Sequence, residues 1–159
     1  MNDVFRHLHV PADLACEFLA VFSRMEYALK ATGYASDNKD KAFASWDTFA
    51  NEIAEDFKNV PDKEFVEAVD YLLKNPPRKQ VQDDGELAFK DQVIDGNQKR
   101  AQQALLMVRT VRNNLFHGGK YLPNGEKERG RNRILVAHSL TILKHCAQMN
   151  DRVMQYYES

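Results

Sequence analysis

The stretch RNNLFHGGK, residues 112–120, gathers an arginine, two asparagines and a histidine immediately before a glycine pair. These side chains are the parts needed to cut a phosphodiester without a metal. Such cleavage must deprotonate a 2′-hydroxyl, stabilise extra negative charge on phosphorus and protonate the departing 5′-oxygen. An imidazole, with an unperturbed pKa near 6.5, transfers protons close to neutrality, and His117 carries one. A guanidinium stays charged and offers a planar fork of donors to phosphate oxygens, the role open to Arg112. Asn113 is placed to orient the histidine or to bind a phosphate oxygen.

Spacing alone is weak support. With ten arginines and five histidines, about one pair with histidine five to seven residues after arginine arises by chance. Arg131 and Arg133 reproduce the pattern with His138, inside the last helix, where a histidine reads as a core-edge or interface residue. The setting of His117 is different. It falls at a helix end, after Asn113 and Asn114, each costing the helix about half a kcal/mol relative to alanine. Gly118 and Gly119 follow, supplying the positive φ that a helix C-terminus favours and letting another chain approach closely. The stretch reads either as an untidy cap or as a phosphate-handling site, and the charge around it favours the second. Residues 99–133 hold nine Lys or Arg against Glu126 and Glu128, a net of +7 in a chain whose formal total is −1, so the remainder carries −8. A phosphate-facing surface produces such a split, and so does a solvated face of mixed origin. Arg109, Asn114, Lys120, Arg129 and Arg131 are the candidates to bind RNA or phosphate beside Arg112, Asn113 and His117.

The elements that must position these residues are helical. At 159 residues the chain suits one domain, residues 1–159, able to bury a core without disulfides or metal. Apolar residues at 43% and charged residues at 28% exclude disorder, and no apolar run is long enough to span a bilayer. The start MNDVFRHLHV lacks the features of a secretion signal, so the cytoplasm is expected. Cys16 and Cys146 read as small buried apolar residues, no ligand cluster has metal spacing, and neither a metal nor a cofactor is expected.

From Pro11, apolar residues at Leu14, Phe18, Val21, Phe22, Met25, Ala28 and Leu29 mark an amphipathic helix stopped near Gly33. On its polar side Arg24, Glu26, Tyr27 and Lys30 form either a solvated face or, through Arg24 or Glu26, the border of a cleft. Phe43, Trp46, Phe49, Ile53 and Phe57 predict a second helix with an aromatic core stripe. Pro61 and Pro76-Pro77 bracket a third. Residues 78–97 read as a helical turn or an irregular excursion between Gly85 and Gly96. A fourth helix is expected from about Gln98 to His117, with Ala101, Ala104, Leu105, Val108, Val111 and Leu115 inward. A basic turn-rich loop follows. The last helix is expected from near Arg131 to Tyr156 or Tyr157. No segment shows a clear two-residue alternation, so the expectation is all-α, an antiparallel bundle of about five helices.

On these residues the chain resembles the HEPN superfamily, small α-helical domains that include metal-independent RNases. RNNLFH matches that family's R-polar-x-x-x-H motif. The segment FLAVFSRMEYALKATGY is similar to the opening helix of bacterial HEPN proteins, and RNRILVAHSLTIL is similar to their last helix. The resemblance implies cleavage of single-stranded or loop RNA by 2′-OH attack, with His117 in acid/base and Arg112 in phosphate-stabilising roles. It also implies a two-fold homodimer with a composite active site, a toxin or defence role, and an antitoxin protein as a further partner. Helix geometry agrees on the dimer, because Arg112 and His117 lie about 140° apart on one helix and two copies would pool their side chains. One departure stands out: HEPN toxins paired with nucleotidyltransferase antitoxins carry a modifiable tyrosine two residues after the histidine, where this chain has Gly119. The alternative function, from another class, is a non-catalytic HEPN-like module that binds RNA, a nucleotide or a partner protein.

Overall fold

A computed structural model describes residues 4–36, 40–118 and 125–159. The described residues form seven α-helices, a 3-10 turn at Val4–His7 and one two-stranded hairpin. Helix α1, Ala12–Ala31, buries Ala15, Phe18, Val21, Phe22, Met25, Ala28 and Leu29, the face its periodicity predicts. It stops at Gly33 (φ +93°), where the Tyr34 N–H closes onto the Leu29 carbonyl at 2.9 Å in a Schellman-type end. The second expected helix is two short ones, α2 at Trp46–Glu52 and α3 at Ala54–Lys58, hinged at Ile53. Its stripe of Trp46, Phe49, Ile53 and Phe57 is buried, whereas Phe43 precedes α2 and is exposed. Helix α4, Lys63–Lys74, is capped by Asp62, whose side chain accepts from the Phe65 N–H at 2.9 Å.

The strand-free expectation fails at residues 78–97. Strands β1, Lys79–Asp83, and β2, Glu86–Lys90, pair antiparallel, so the fold is mainly helical with a small sheet. Asp84 (φ +47°) and Gly85 (φ +78°) both take positive φ, as a two-residue hairpin turn demands.

Helix α5, Arg100–Phe116, packs on α1, α2, α3, α4 and α6 and so runs through the interior. Leu105, Met107, Val108 and Val111 are almost wholly buried along it, each worth about 1.5–3 kcal/mol of burial. Being surrounded on most sides, α5 meets solvent chiefly in its last turn. Helix α6, Gly125–Ala147, starts earlier than expected and packs on α1 and α4. The expected last helix is broken after it: Asn150 caps a separate α7, Asp151–Glu158, by accepting from the Val153 N–H at 3.0 Å. Arg24 holds α7 against α1, donating to the carbonyls of Tyr156 (3.0 Å), Tyr157 (3.1 Å) and Ser159. Arg24 is therefore a helix-end clamp. Cys16 is exposed, against expectation, while Cys146 is fully buried in α6. Among the described residues no helix is long and apolar enough to cross a membrane.

Candidate functional site at the end of helix α5

The interior helix surfaces at Arg112–His117. His117 is the C-cap, its N–H still bonded to the Asn113 carbonyl at 2.9 Å, and Gly118 (φ +81°) turns the chain away. Having left helical dihedrals, the exposed His117 ring meets the Phe116 ring edge-on, centroids 5.2 Å apart. Phe116 is 62% exposed. The other side of this arrangement is Arg112, whose guanidinium lies 4.9 Å from the Phe116 centroid and 5.5 Å from that of Phe22 on α1. Phe116 therefore bridges the guanidinium and the imidazole.

Arg112 is oriented as well as exposed on one side. Its Nη1 donates to Asn113 Oδ1 at 3.0 Å. The Phe22 ring under it is itself fixed, packing 5.1 Å from Trp46 and 6.1 Å from Phe18. No carboxylate pairs with Arg112 among the described residues. A half-buried, oriented guanidinium without a carboxylate is suited to holding a phosphate oxygen. The asparagine orients Arg112, where the sequence left open the histidine or a phosphate.

Of the wider phosphate-binding set, the members among the described residues are engaged with other parts of the fold. Asn114 is buried, and its side-chain amide donates to the Arg78 carbonyl at 2.7 Å, tying the entry of β1 to α5. Its expected RNA contact is withdrawn, because that face of the helix is covered. Arg109 pairs with Asp47 on α2 at 3.0 Å, its Nε buried without a partner, so it braces α5 against α2. Arg131 donates to the Pro76 carbonyl at 2.8 Å and holds the other end of the approach to the hairpin. Lys120 and the side chain of Arg129 lie outside the described residues, as does Gly119.

The +7 segment is similarly dispersed. Lys99 and Arg100 stand at the opposite end of α5, about 26 Å from His117, where they engage Asn51 and Asp70. The positive run is continuous in sequence and divided in space.

His138, the partner in the accidental arginine–histidine pairs, packs against Tyr71 at 5.0 Å. Burial lowers its pKa, partly opposed by Glu67 and Glu64, which is the behaviour of a core-edge histidine. Phe116 is the residue that sequence reasoning left unassigned. Its signal was the i,i+4 spacing from Arg112, which puts an aromatic and a guanidinium on one face. No three His, Cys, Asp or Glu side chains gather into a metal site among the described residues. Comparison with known protein families, curated proteins and solved structures returned no match.

Proposed function

We propose that this chain is a metal-independent endoribonuclease of HEPN type that acts on single-stranded or loop RNA as a two-fold homodimer. The observation that carries the reading is the exposed Phe116 ring, in contact with both Arg112 and His117. An exposed aromatic beside a guanidinium is a stacking platform for an unpaired base. It would set the adjoining phosphodiester over Arg112, whose remaining donors stabilise charge on phosphorus. His117 moves the proton, either from the 2′-oxygen that attacks or to the 5′-oxygen that leaves, giving a 2′,3′-cyclic phosphate and a 5′-hydroxyl. In-line displacement puts those oxygens on opposite sides of phosphorus, so a single imidazole serves one of them. A second copy, contributing its own His117, would serve the other. A toxin or defence role with an antitoxin partner belongs to the same proposal.

A second reading, RNA binding without cleavage, draws on the same site. Asn113 and two rings already engage Arg112, an arrangement that also suits a packed recognition residue. Labelled single-stranded RNA incubated in EDTA decides between them. Cleavage by the wild type, lowered about 10²–10⁴-fold in His117→Ala and Arg112→Ala with helicity intact, supports the nuclease. RNA bound but uncut by the wild type supports the binding module. RNA neither bound nor cut refutes both.

A further inference from the structure

The register of the hairpin places like charges opposite one another twice. Lys79 pairs with Lys90 at its base, and Asp83 pairs with Glu86 at its tip. Side chains alternate across a strand, so both pairs share one face, with Val81 and Ala88 between them. All four charged residues are exposed, and none of their side chains makes an ion pair or hydrogen bond among the described residues. Directly opposed like charges destabilise a strand pair. Base and tip are about 13 Å apart, beyond the screening length of physiological salt, so they do not neutralise each other within one hairpin.

Nor does the core support the hairpin's side chains. Val81, Leu87, Ala88 and Phe89 are all absent from the apolar residues packed on it. Two-stranded hairpins are marginal in water by themselves. This one is anchored at its approach by Asn114 and Arg131, touches α5 along β1, and carries a charge-segregated face with exposed ends and a half-buried Val81–Ala88 centre.

We infer that this face pairs with the same face of a second copy of this chain. A two-fold axis through the Val81–Ala88 centre runs the two hairpins antiparallel. Lys79 and Lys90 then sit over the partner's Asp83 and the partner's Glu86, and the reverse holds across the axis. Both repulsive pairs become attractive contacts, and the apolar centres cover each other. Isologous contacts require this self-complementarity, and the face has it. A polyanion would satisfy only the lysines and meet repulsion from the acidic tip. The face is much smaller than the roughly 800 Å² per partner of a standard interface, so it fixes orientation while neighbouring surface adds area. Val93, 91% exposed, follows β2 closely in sequence.

The inference gives the two-fold assembly proposed above a surface, and rests on that proposal only for its bearing on catalysis. The hairpin base is tied to Asn114, one helical turn before His117 on the same side of α5. Face-to-face sheets about 10 Å apart, with the Arg78 anchors offset by about 20 Å along the strands, set the two anchors roughly 22 Å from each other.

Charge reversal tests it by light scattering after size exclusion, at about 100 µM chain. Wild type is expected to be a dimer. K79E/K90E and D83K/E86K each weaken it by about tenfold or more, leaving helicity unchanged. The fourfold swap restores the homodimer, and mixing the two double variants gives a heterodimer. That mixture also rescues either variant if its hairpin melts alone. A monomeric wild type, or double variants that dimerise as before, overturns the inference. So does loss of RNA binding in K79E/K90E with no change in mass, which would make the lysines a polyanion site. A wild type that cuts RNA as a monomer leaves the nuclease and removes this surface. Dimerisation through the hairpin without cleavage does the reverse.

Discussion

Asn113 and Asn114 are chemically identical neighbours to which the structure gives opposite tasks, so replacing each with alanine separates those tasks. Asn114 is 4% exposed and donates 2.7 Å to the Arg78 carbonyl. Its removal forfeits a hydrogen bond worth about 1 kcal/mol and leaves a partly buried carbonyl short of a donor, for a further 1 kcal/mol or so. Alanine recovers about 0.5 kcal/mol of helix propensity. The net expectation for Asn114→Ala is a loss of roughly 1–2 kcal/mol, or about 3–6 °C in Tm for a domain of this size. The Asn113 side chain is exposed and, among the described residues, bonds only the Arg112 guanidinium, so Asn113→Ala is neutral or stabilising by up to about 0.5 kcal/mol. Urea unfolding followed by helical circular dichroism measures both, a constant m-value securing the comparison. Hydrogen exchange adds a local check. The hairpin amides should lose protection in Asn114→Ala and keep it in Asn113→Ala. On the proposed nuclease reading the order in RNA cleavage should invert, because only Asn113→Ala releases the guanidinium at the site. Equal stabilities for the two variants would refute the assignment of Asn114 as a tether.

Further expectations follow from the titrating and sulfur-bearing groups. Burial lowers the His138 pKa, so the unfolded chain binds a proton near pH 6.5 while the native chain does not, and this contribution to stability is lost as pH falls below that value. His138→Gln should flatten the acid limb of a stability–pH curve, and an NMR titration should show His138 protonating below the ordinary histidine range. The Tyr34 hydroxyl, buried and bonded to Glu52, is pushed up to about 12, so stability should fall as pH rises from 10 to 12 and Tyr34→Phe should reduce that slope. Absorbance at high pH should show a late ionisation that Tyr34→Phe removes. Exposed Cys16 should react with a thiol reagent in the native protein, whereas Cys146, whose thiol burial pushes far up, should react only in denaturant. Arg24→Gln should free the end of α7, seen as faster exchange of its last amides.

The helices were legible because burial on one side imposes a 3.6-residue period, clear in α1 and in the aromatic stripe of α2 and α3. The hairpin was not, and the place of its apolar side chains outside the core cluster explains why. Alternation appears in a sequence when one face of a strand packs on a core, but Gln80 and Gln82 oppose Phe89 and Leu87 on one face while charges flank Val81 and Ala88 on the other. The Asp84-Gly85 turn was the surviving signal. The break before α7 was written in Asn150-Asp151, a capping pair inside an otherwise helical pattern. Charge was the least transferable cue. Arg109 and Asp47 are 62 residues apart, so their pairing is invisible to any local count, and the same holds for Arg131 and the Pro76 carbonyl. At the site, Arg112 and His117 were legible as types, while the ring that joins them needed the fold to place it.

The end of α5 is gripped from two directions, and each candidate group answers to a different neighbour. Arg112 rests on Phe22, which α1 and Trp46 hold in place. Asn114 points about 160° away from Arg112, toward the hairpin, and His117 lies within about 60° of Asn114 around the same axis. Changes in the α1–α2 aromatic cluster should therefore reach the guanidinium first, and changes in the hairpin anchor should reach the imidazole first. Phe116 is the place where the two influences meet, since its ring touches both groups. A residue so exposed contributes little to the core, so a severe activity loss in Phe116→Ala with an unchanged Tm would have to come from the site itself. Combined with an Asn113 substitution it should be less than additive, because both act on the orientation of one guanidinium. Full additivity would mean that Phe116 serves the substrate alone, as a surface on which a base stacks.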